Sequence, residues 1–327
     1  MTSQYVGVDV AKESSVYALG EGETGWFPNT PAGLRRAQRW VRERLGDRPG
    51  HMVLESTGPY GTGLAKFFYQ LPGWKVSVVN PKQVRRFAEA QLRRSKTDRI
   101  DAVVLAQLGP ALQPLAWAPL APEREKLQVL VPRGQQLQRM LQQEQNRLHA
   151  FGAAGWEVPE VQACLQRQIA NLKQAIGEVR QACLALLQAH PQLGEEVRLL
   201  TSIPGIGITT ALGLLAEMGQ PSRYRYAKSL VAQAGVAPAE KTSGSSVRGK
   251  PAISRQGSPA LRRLMYMPTV VAICWNPVVR DFYQRLLHKG KPVTVALLAA
   301  MNKLLRICWG VLTNQLPFQY QITAPNP

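Results

Sequence analysis

Asp9, Glu55, Asp98 and Asp101 are the side chains whose type and spacing could do chemistry. Asp98 and Asp101 are three residues apart, so both carboxylates project from one face of a first helical turn if Thr97 or Ser95 caps a helix running toward Leu108. Asp9 follows the run Tyr5-Val6-Gly7-Val8, and Glu55 closes His51-Met52-Val53-Leu54 before the breaker Ser56-Thr57-Gly58-Pro59. Each therefore belongs to an apolar run that reads as a strand. Four convergent carboxylates repel one another unless hard divalent cations with oxygen ligands neutralise them. Two such cations can position the attacking and leaving oxygens of a phosphoryl transfer. Taken one at a time, each of these acids also reads as a helix cap or a solvated charge, which is the commoner role.

The elements that would position them follow from periodicity. Strands are predicted near 4–10, 15–20, 51–56 and 75–79, with helices from Ala32 to Leu45, from Gly61 to Leu71 and after Pro81. This is an α/β layer with a mixed sheet. Pro110, Pro114, Pro119 and Pro122 punctuate a connection. From Glu123 to His190 the composition turns to Gln, Leu, Arg and Ala, and Leu137, Leu141 and Leu148 suit a helix pair or coiled coil that reverses over Gly152 to Pro159. That pair reads equally as a spacer or as a partner-binding element. Pro132 is predicted to mark the start of its first long helix, because proline inside a helix costs about 3 kcal/mol. The expected organisation is 1–120, 121–192 and 193–327.

The last region opens with Ile203-Pro204-Gly205-Ile206-Gly207 between two short helices, a helix-hairpin-helix pattern. Gly205 and Gly207 would let backbone approach a phosphate while the next helix presents its amide-rich N-terminus; a purely structural αα turn is the alternative. The Lys-Ser/Thr of a P-loop is missing. Lys241-Thr242-Ser243-Gly244-Ser245-Ser246-Val247-Arg248-Gly249-Lys250 reads as a mobile, basic Ser/Gly loop that touches phosphate, and no nearby His or Asp suggests a hydrolase triad. Leu261-Arg262-Arg263-Leu264 begins a helix with an Arg pair, and Val293 to Leu312 reads as an apolar closing helix.

Bulk properties point the same way. The chain has 327 residues, a net charge of +19 and a pI near 10.2, which suits a polyanionic partner and not an ordinary metabolic enzyme. From Gln220 to Gly310 there are fifteen Lys or Arg against only Glu240 and Asp281. A second basic stretch, Lys82 to Arg99, carries Arg93, Arg94 and Lys96 directly into the Asp98/Asp101 pair. No apolar run is expected to reach the roughly twenty residues of a spanning helix, and no basic-then-apolar leader is read at the N-terminus. Cys164, Cys183, Cys274 and Cys308 and the four histidines are scattered, which argues against zinc and for a reducing cytoplasm.

Six ordered motifs carry a family resemblance. Val6-Gly7-Val8-Asp9-Val10-Ala11-Lys12, Leu54-Glu55-Ser56-Thr57-Gly58, Val79-Asn80-Pro81, Lys96-Thr97-Asp98-Arg99-Ile100-Asp101-Ala102, Ile203-Pro204-Gly205-Ile206-Gly207 and Ser243-Gly244-Ser245-Ser246-Val247-Arg248-Gly249 resemble the DEDD transposases of bacterial insertion sequences. This is the insertion-sequence family numbered one hundred and ten, related to the Piv invertases, and the resemblance runs from about residue 4 to about 318.

The resemblance implies an α/β plus α architecture: an RNase H-like (RuvC-like) N-terminal domain, a coiled-coil segment and a mainly helical C-terminal transposase domain. It implies that Asp9, Glu55, Asp98 and Asp101 hold Mg²⁺ (or Mn²⁺), and that Ser243 is a nucleophile forming a 5′-phosphoserine link to DNA. It also implies a structured bridge RNA that pairs donor and target double-stranded DNA. Its composite centre would join the serine of one subunit to the acids of another in a tetramer, a dimer of dimers acting in the cytoplasm of a bacterium or archaeon, with no membrane partner. By composition alone, Arg248 and Lys250 are placed to hold the scissile phosphate, and Arg262 and Arg263 to contact nucleic acid. Two other readings stay open: a RuvC-like nuclease in which activated water cuts DNA and Ser243 is expendable, and a non-catalytic nucleic-acid-binding protein.

Overall fold

The computed structural model describes residues 4–20, 22–56, 58–92, 97–239, 242–243, 247–248, 252–253 and 256–320. It divides into two compact units, residues 1–119 and 120–327.

Unit 1 opens with β1 (Gln4–Val10), β2 (Ser14–Leu19) and β3 (Glu23–Pro28), an antiparallel meander. α1 (Pro31–Leu45) then leads to β4 (Gly50–Glu55), and α2 (Pro59–Tyr69) to β5 (Trp74–Val79). β4 lies parallel to β1 and β5 parallel to β4, so the sheet order is β3-β2-β1-β4-β5. The period-2 alternation sorts the faces. Val6, Val8, Met52, Leu54 and Tyr17 pack with Ala37, Val41, Leu64 and Phe68 of α1 and α2. Val53 and Val79 face the other way, against Val84 of α3 (Pro81–Ala90) and Val104, Leu105 and Leu108 of α4 (Asp98–Leu112).

Two sequence expectations change here. β3 was unforeseen, because Glu23-Thr24-Gly25-Trp26-Phe27-Pro28 is a half-exposed edge strand without apolar alternation. Pro110 does not end α4 but lies inside it. So near the C-terminus it removes a single backbone bond, and Gln113 still donates to Gly109 O at 2.9 Å.

Unit 2 begins with α5 (Pro122–Ala153) and α6 (Pro159–Ala189), a helical hairpin whose turn falls within the predicted Gly152–Pro159 stretch. Pro132 is not the start of α5: the helix begins ten residues earlier and runs through it. Tertiary contacts hold those first turns. Leu127 is fully buried, Gln128 Nε2 donates to Ala216 O at 3.0 Å, and Arg124 donates to Gly219 O at 2.8 Å and to Glu196 Oε1 at 2.6 Å. The Arg124–Glu196 pair is itself buried, and Glu196 Oε2 has no hydrogen-bond partner.

The rest of unit 2 is α7 (Pro191–Thr201), α8 (Ile208–Met218), α9 (Ala227–Ala234), α10 (Pro259–Trp275), α11 (Pro277–His288) and α12 (Val293–Asn314) around one core. By length and apolar composition α12 could cross a membrane, which corrects the expectation that no run is long enough. Its Ala300, Met301, Leu304, Leu305 and Cys308 instead join the core of unit 2. The Ser/Gly segment, read as a mobile loop, carries paired backbone: β6 (Pro238–Ala239) with β9 (Ala252–Ile253), and β7 (Thr242–Ser243) with β8 (Val247–Arg248).

Candidate active-site residues

The position of α4 decides where the carboxylates lie. A Cβ on Gly7 would stand 1.9 Å from Ala102 O and 2.3 Å from Ala106 N, so β1 and α4 meet backbone to backbone. A Cβ on Gly109 would likewise collide with the Tyr5 ring at 2.3 Å. As β1 advances from Tyr5 to Gly7, α4 therefore retreats from Gly109 to Ala102, and its first turn lies beside the end of β1 that carries Asp9. Ala102, Leu105, Ala106 and Gly109 form the stripe facing the sheet, and Asp98 and Asp101 head that same stripe at i−4 spacing.

Strand parity supplies the other two acids. Asp9 has the parity of Gly7, and Glu55 that of Val53, so both face α4. Val8 pairs with Leu54 in parallel register, so Asp9 and Glu55 are the next step along adjacent strands. Glu55 pairs with Val79, and Ser56 N donates to Val79 O at 3.0 Å, which keeps the β4 exit fixed. Thr97 is the cap: its backbone is extended, at φ −146° and ψ 154°, and its side chain accepts from Ile100 N at 3.3 Å.

The four carboxylates thus lie on one face of the sheet, toward the C-terminal ends of β1 and β4, with Asp98 exposed and Asp9, Glu55 and Asp101 half-buried. Among the described residues, no three His, Cys, Asp or Glu side chains stand close enough together to hold a metal ion as placed. The donor set itself, four carboxylates with no sulfur or imidazole, fits a hard divalent cation.

On the same face, away from the acids, His51 stacks on Tyr5 and bonds Ser77 Oγ at 2.8 Å. Ser77 Oγ also lies 3.1 Å and 2.8 Å from the carbonyls of Pro114 and Leu115, and its one proton goes there. It therefore accepts from His51 Nε2–H, which assigns the tautomer. Burial first, and the Lys75 charge second, hold the imidazole pKa below its ordinary value.

In unit 2, Ser243 pairs through its backbone with Val247, and Thr242 with Arg248. Lys250, Arg93, Arg94 and Lys96 lie outside the described residues. Gly205 adopts φ 103°, and a Cβ there would meet Ala272 of α10 at 2.9 Å, so this glycine serves the turn and a close helix approach. Gly207 caps α8 with no side-chain bond and open space around it. Arg262 donates to Ala234 O at 2.9 Å, whereas Arg263 is exposed.

Arg263 also borders a cavity of about 810 Å³ formed by α5, α6, α8 and α10, together with Arg139, Arg180, Thr209 and Thr210 at the start of α8. Leu130, Val131 and Leu264 supply an aliphatic wall, and the lining contains no acidic residue. Sequence reasoning did not single out Arg139 or Arg180, because only the pairing of α5 with α6 brings them to α8.

Two family models match the chain. One, for the transposases of the DEDD IS110 type, covers residues 6–151; the other, described as the transposase IS116/IS110/IS902 family, covers residues 197–284. The chain is similar to the pilin gene-inverting proteins of Moraxella bovis and Moraxella lacunata, at 29% identity in each case over 98% of this chain and 99% of those proteins. It is also similar, at 25% identity over 95% of this chain and 90% of the relative, to the transposase for insertion sequence element IS1111A of Coxiella burnetii.

Proposed function

The chain belongs to the DEDD transposases of the IS110 family, DNA recombination enzymes of insertion sequences, and from that premise we propose that it cuts and rejoins DNA through Ser243 together with Asp9, Glu55, Asp98 and Asp101. The observation that supports this reading is that strand parity puts Asp9 and Glu55 on the face of the sheet that α4 covers, with both helical acids heading the stripe of α4 that packs on β1. An antiparallel meander continued by two parallel strands, with helices on both faces, supports an RNase H-like, RuvC-like reading of unit 1.

The family implies a divalent cation. In this reading it is Mg²⁺, with Mn²⁺ as a substitute, held by those four carboxylates. When bound, it withdraws charge from the scissile phosphate and helps ionise the attacking hydroxyl, the help a neighbouring histidine would otherwise give. Ser243 Oγ gives up its proton and bonds to phosphorus, the bond to the 3′ oxygen breaks, the fragment carrying that oxygen takes up a proton and leaves with a 3′-hydroxyl, and the other fragment stays joined to the serine through its 5′ phosphate. Attack by another strand's 3′-hydroxyl reverses the step, so the phosphodiester energy is retained and no ATP is needed. Arg248 and Lys250 hold the non-bridging oxygens.

The substrates are donor and target double-stranded DNA, paired by a structured bridge RNA. A dimer of dimers brings the serine of one subunit to the acids of another, in the cytoplasm. The net charge of +19, the uncapped start of α8 after Gly205 and Gly207, and the acid-free cavity with Arg139, Arg180 and Arg263 support extensive phosphate contact.

The test incubates purified protein with Mg²⁺, the RNA encoded beside its gene, and labelled donor and target duplexes, then resolves the products by denaturing electrophoresis. A protein-linked DNA band that needs RNA and vanishes in Ser243→Ala and Asp9→Ala is the expected result. Free cleaved DNA that survives Ser243→Ala would instead leave a metal nuclease.

A further inference from the structure

The serine-bearing segment leaves the end of α9 and re-enters at the start of α10, and both of its ends are fastened to the same few atoms. Gly235 closes α9 in the left-handed conformation at φ 67°. On the return side, a Cβ on Gly257 would stand 2.2 Å from Gln233 O, 2.7 Å from Ala232 O and 2.7 Å from Gly235 N. No other residue type fits there, because the atoms met are backbone. Ser258 N then donates to Gln233 O at 2.6 Å, so the last carbonyls of α9 are sealed by the segment that follows the serine hairpin.

The Ser258 side chain has two tasks. Its Oγ accepts from Leu261 N at 3.1 Å as the cap of α10, and it donates its one proton to Glu217 Oε2 of α8 at 2.8 Å. Glu217 is tied to α9 as well, since its carbonyl accepts from Gln233 Nε2 at 3.0 Å, and Gln233 Oε1 in turn accepts from Tyr224 Oη. Three helices thus meet in a knot of side chains at the chain positions that lead into β6 and out of β9, the pair that brackets the serine hairpin in sequence.

A capping hydroxyl stabilises α10 whatever stands beyond it; a second bond to a carboxylate on another helix does something different, which is to fix where α10 begins relative to α8 and α9. We propose that Ser258 and Glu217 are positioning residues for Ser243: their bond sets the base of the hairpin and hence the approach of the serine to DNA. This rests on the reading of Ser243 as the nucleophile. A nucleophile displaced by about 1 Å loses up to about a hundredfold in rate without losing substrate binding.

Substitution can separate capping from positioning. Ser258→Asp keeps a good cap acceptor but sets a second carboxylate against Glu217, and Ser258→Asp combined with Glu217→Gln restores a donor–acceptor pair. The readouts are the rate of serine-linked DNA adduct formation at saturating DNA, DNA affinity and Tm, with Ser243→Ala beside them. The expected result is an adduct rate lowered by about ten- to a hundredfold in Ser258→Asp, DNA affinity within about twofold of the original protein, and recovery in the double variant. An adduct rate equal to that of the unsubstituted protein in Ser258→Asp overturns the positioning role, as does a loss that the double variant leaves in place while its Tm recovers. If the unsubstituted protein forms no adduct, or Ser243→Ala still forms one, the nucleophile reading falls and the positioning role with it.

Discussion

Gly7 and Ala102 are in backbone contact, and the space between them excludes even a methyl group. This one approach sets the depth at which α4 sits on β1 and so the level of Asp98 and Asp101 beside Asp9. Gly7→Ala is expected to lower unfolding free energy by about 1–3 kcal/mol through overpacking, read as a lower urea midpoint. Whatever folded protein remains should lose more activity than stability, because α4 must lift away from the strand that carries Asp9.

Mg²⁺ should stabilise the protein by binding the folded state alone. At a hundredfold excess over its dissociation constant the linkage is worth about 2.7 kcal/mol, seen as a rise in Tm. Asp9→Asn and Glu55→Gln are expected to abolish that rise together with strand cleavage. A Tm that responds to Mg²⁺ equally in both variants would remove these acids from the cation site.

His51 predicts an acid-sensitive unit 1. Its folded pKa lies below the unfolded value of about 6.5, so its contribution is present above that pH and is lost as pH falls toward the folded pKa. Thermal unfolding measured from pH 7.5 to 5 should therefore show a falling Tm. His51→Asn should flatten that slope, and the effect should persist in Asp9→Asn because His51 lies on a different part of the face.

If nucleic acid lies across the cavity beside α8, each arginine removed from its border should weaken binding in a salt-dependent way. Arg139→Ala, Arg180→Ala and Arg263→Ala are each expected to reduce the slope of log affinity against log salt by about 0.9. Unchanged slopes in all three would place the bound strand elsewhere.

The parts of unit 1 that were legible in the sequence are those where burial repeats with a fixed period. β1 alternates Val6, Val8 and Val10 with Gly7 and Asp9, β4 is a continuous apolar run closed by Glu55, and the Thr97 cap fixes the phase of Asp98 and Asp101, so all three elements were legible, whereas the common face of Asp9 and Glu55 came only with the register of the two strands. Contacts made at a distance were not legible. Nothing local shows that Gly7 faces a helix almost a hundred residues away, or that Arg124 and Leu127 hold α5 helical ahead of Pro132. β3 lacked alternation because only part of it is covered, and the short ladders around Ser243 are set by pairing between segments whose composition favours loops.

The α5–α6 hairpin behaves as a lever. Thirty-two residues at about 1.5 Å each give an arm of roughly 48 Å, so a tilt of about 5° at its base swings the tip by roughly 4 Å. The base is where Arg124 spans Glu196 and Gly219. A buried ion pair adds little net stability over an apolar pair of the same shape, but its bonds are directional in a way that apolar contact is not. Its consequence is angular: it sets the aim of the distant tip, so an apolar replacement could keep the protein folded while leaving that tip poorly pointed.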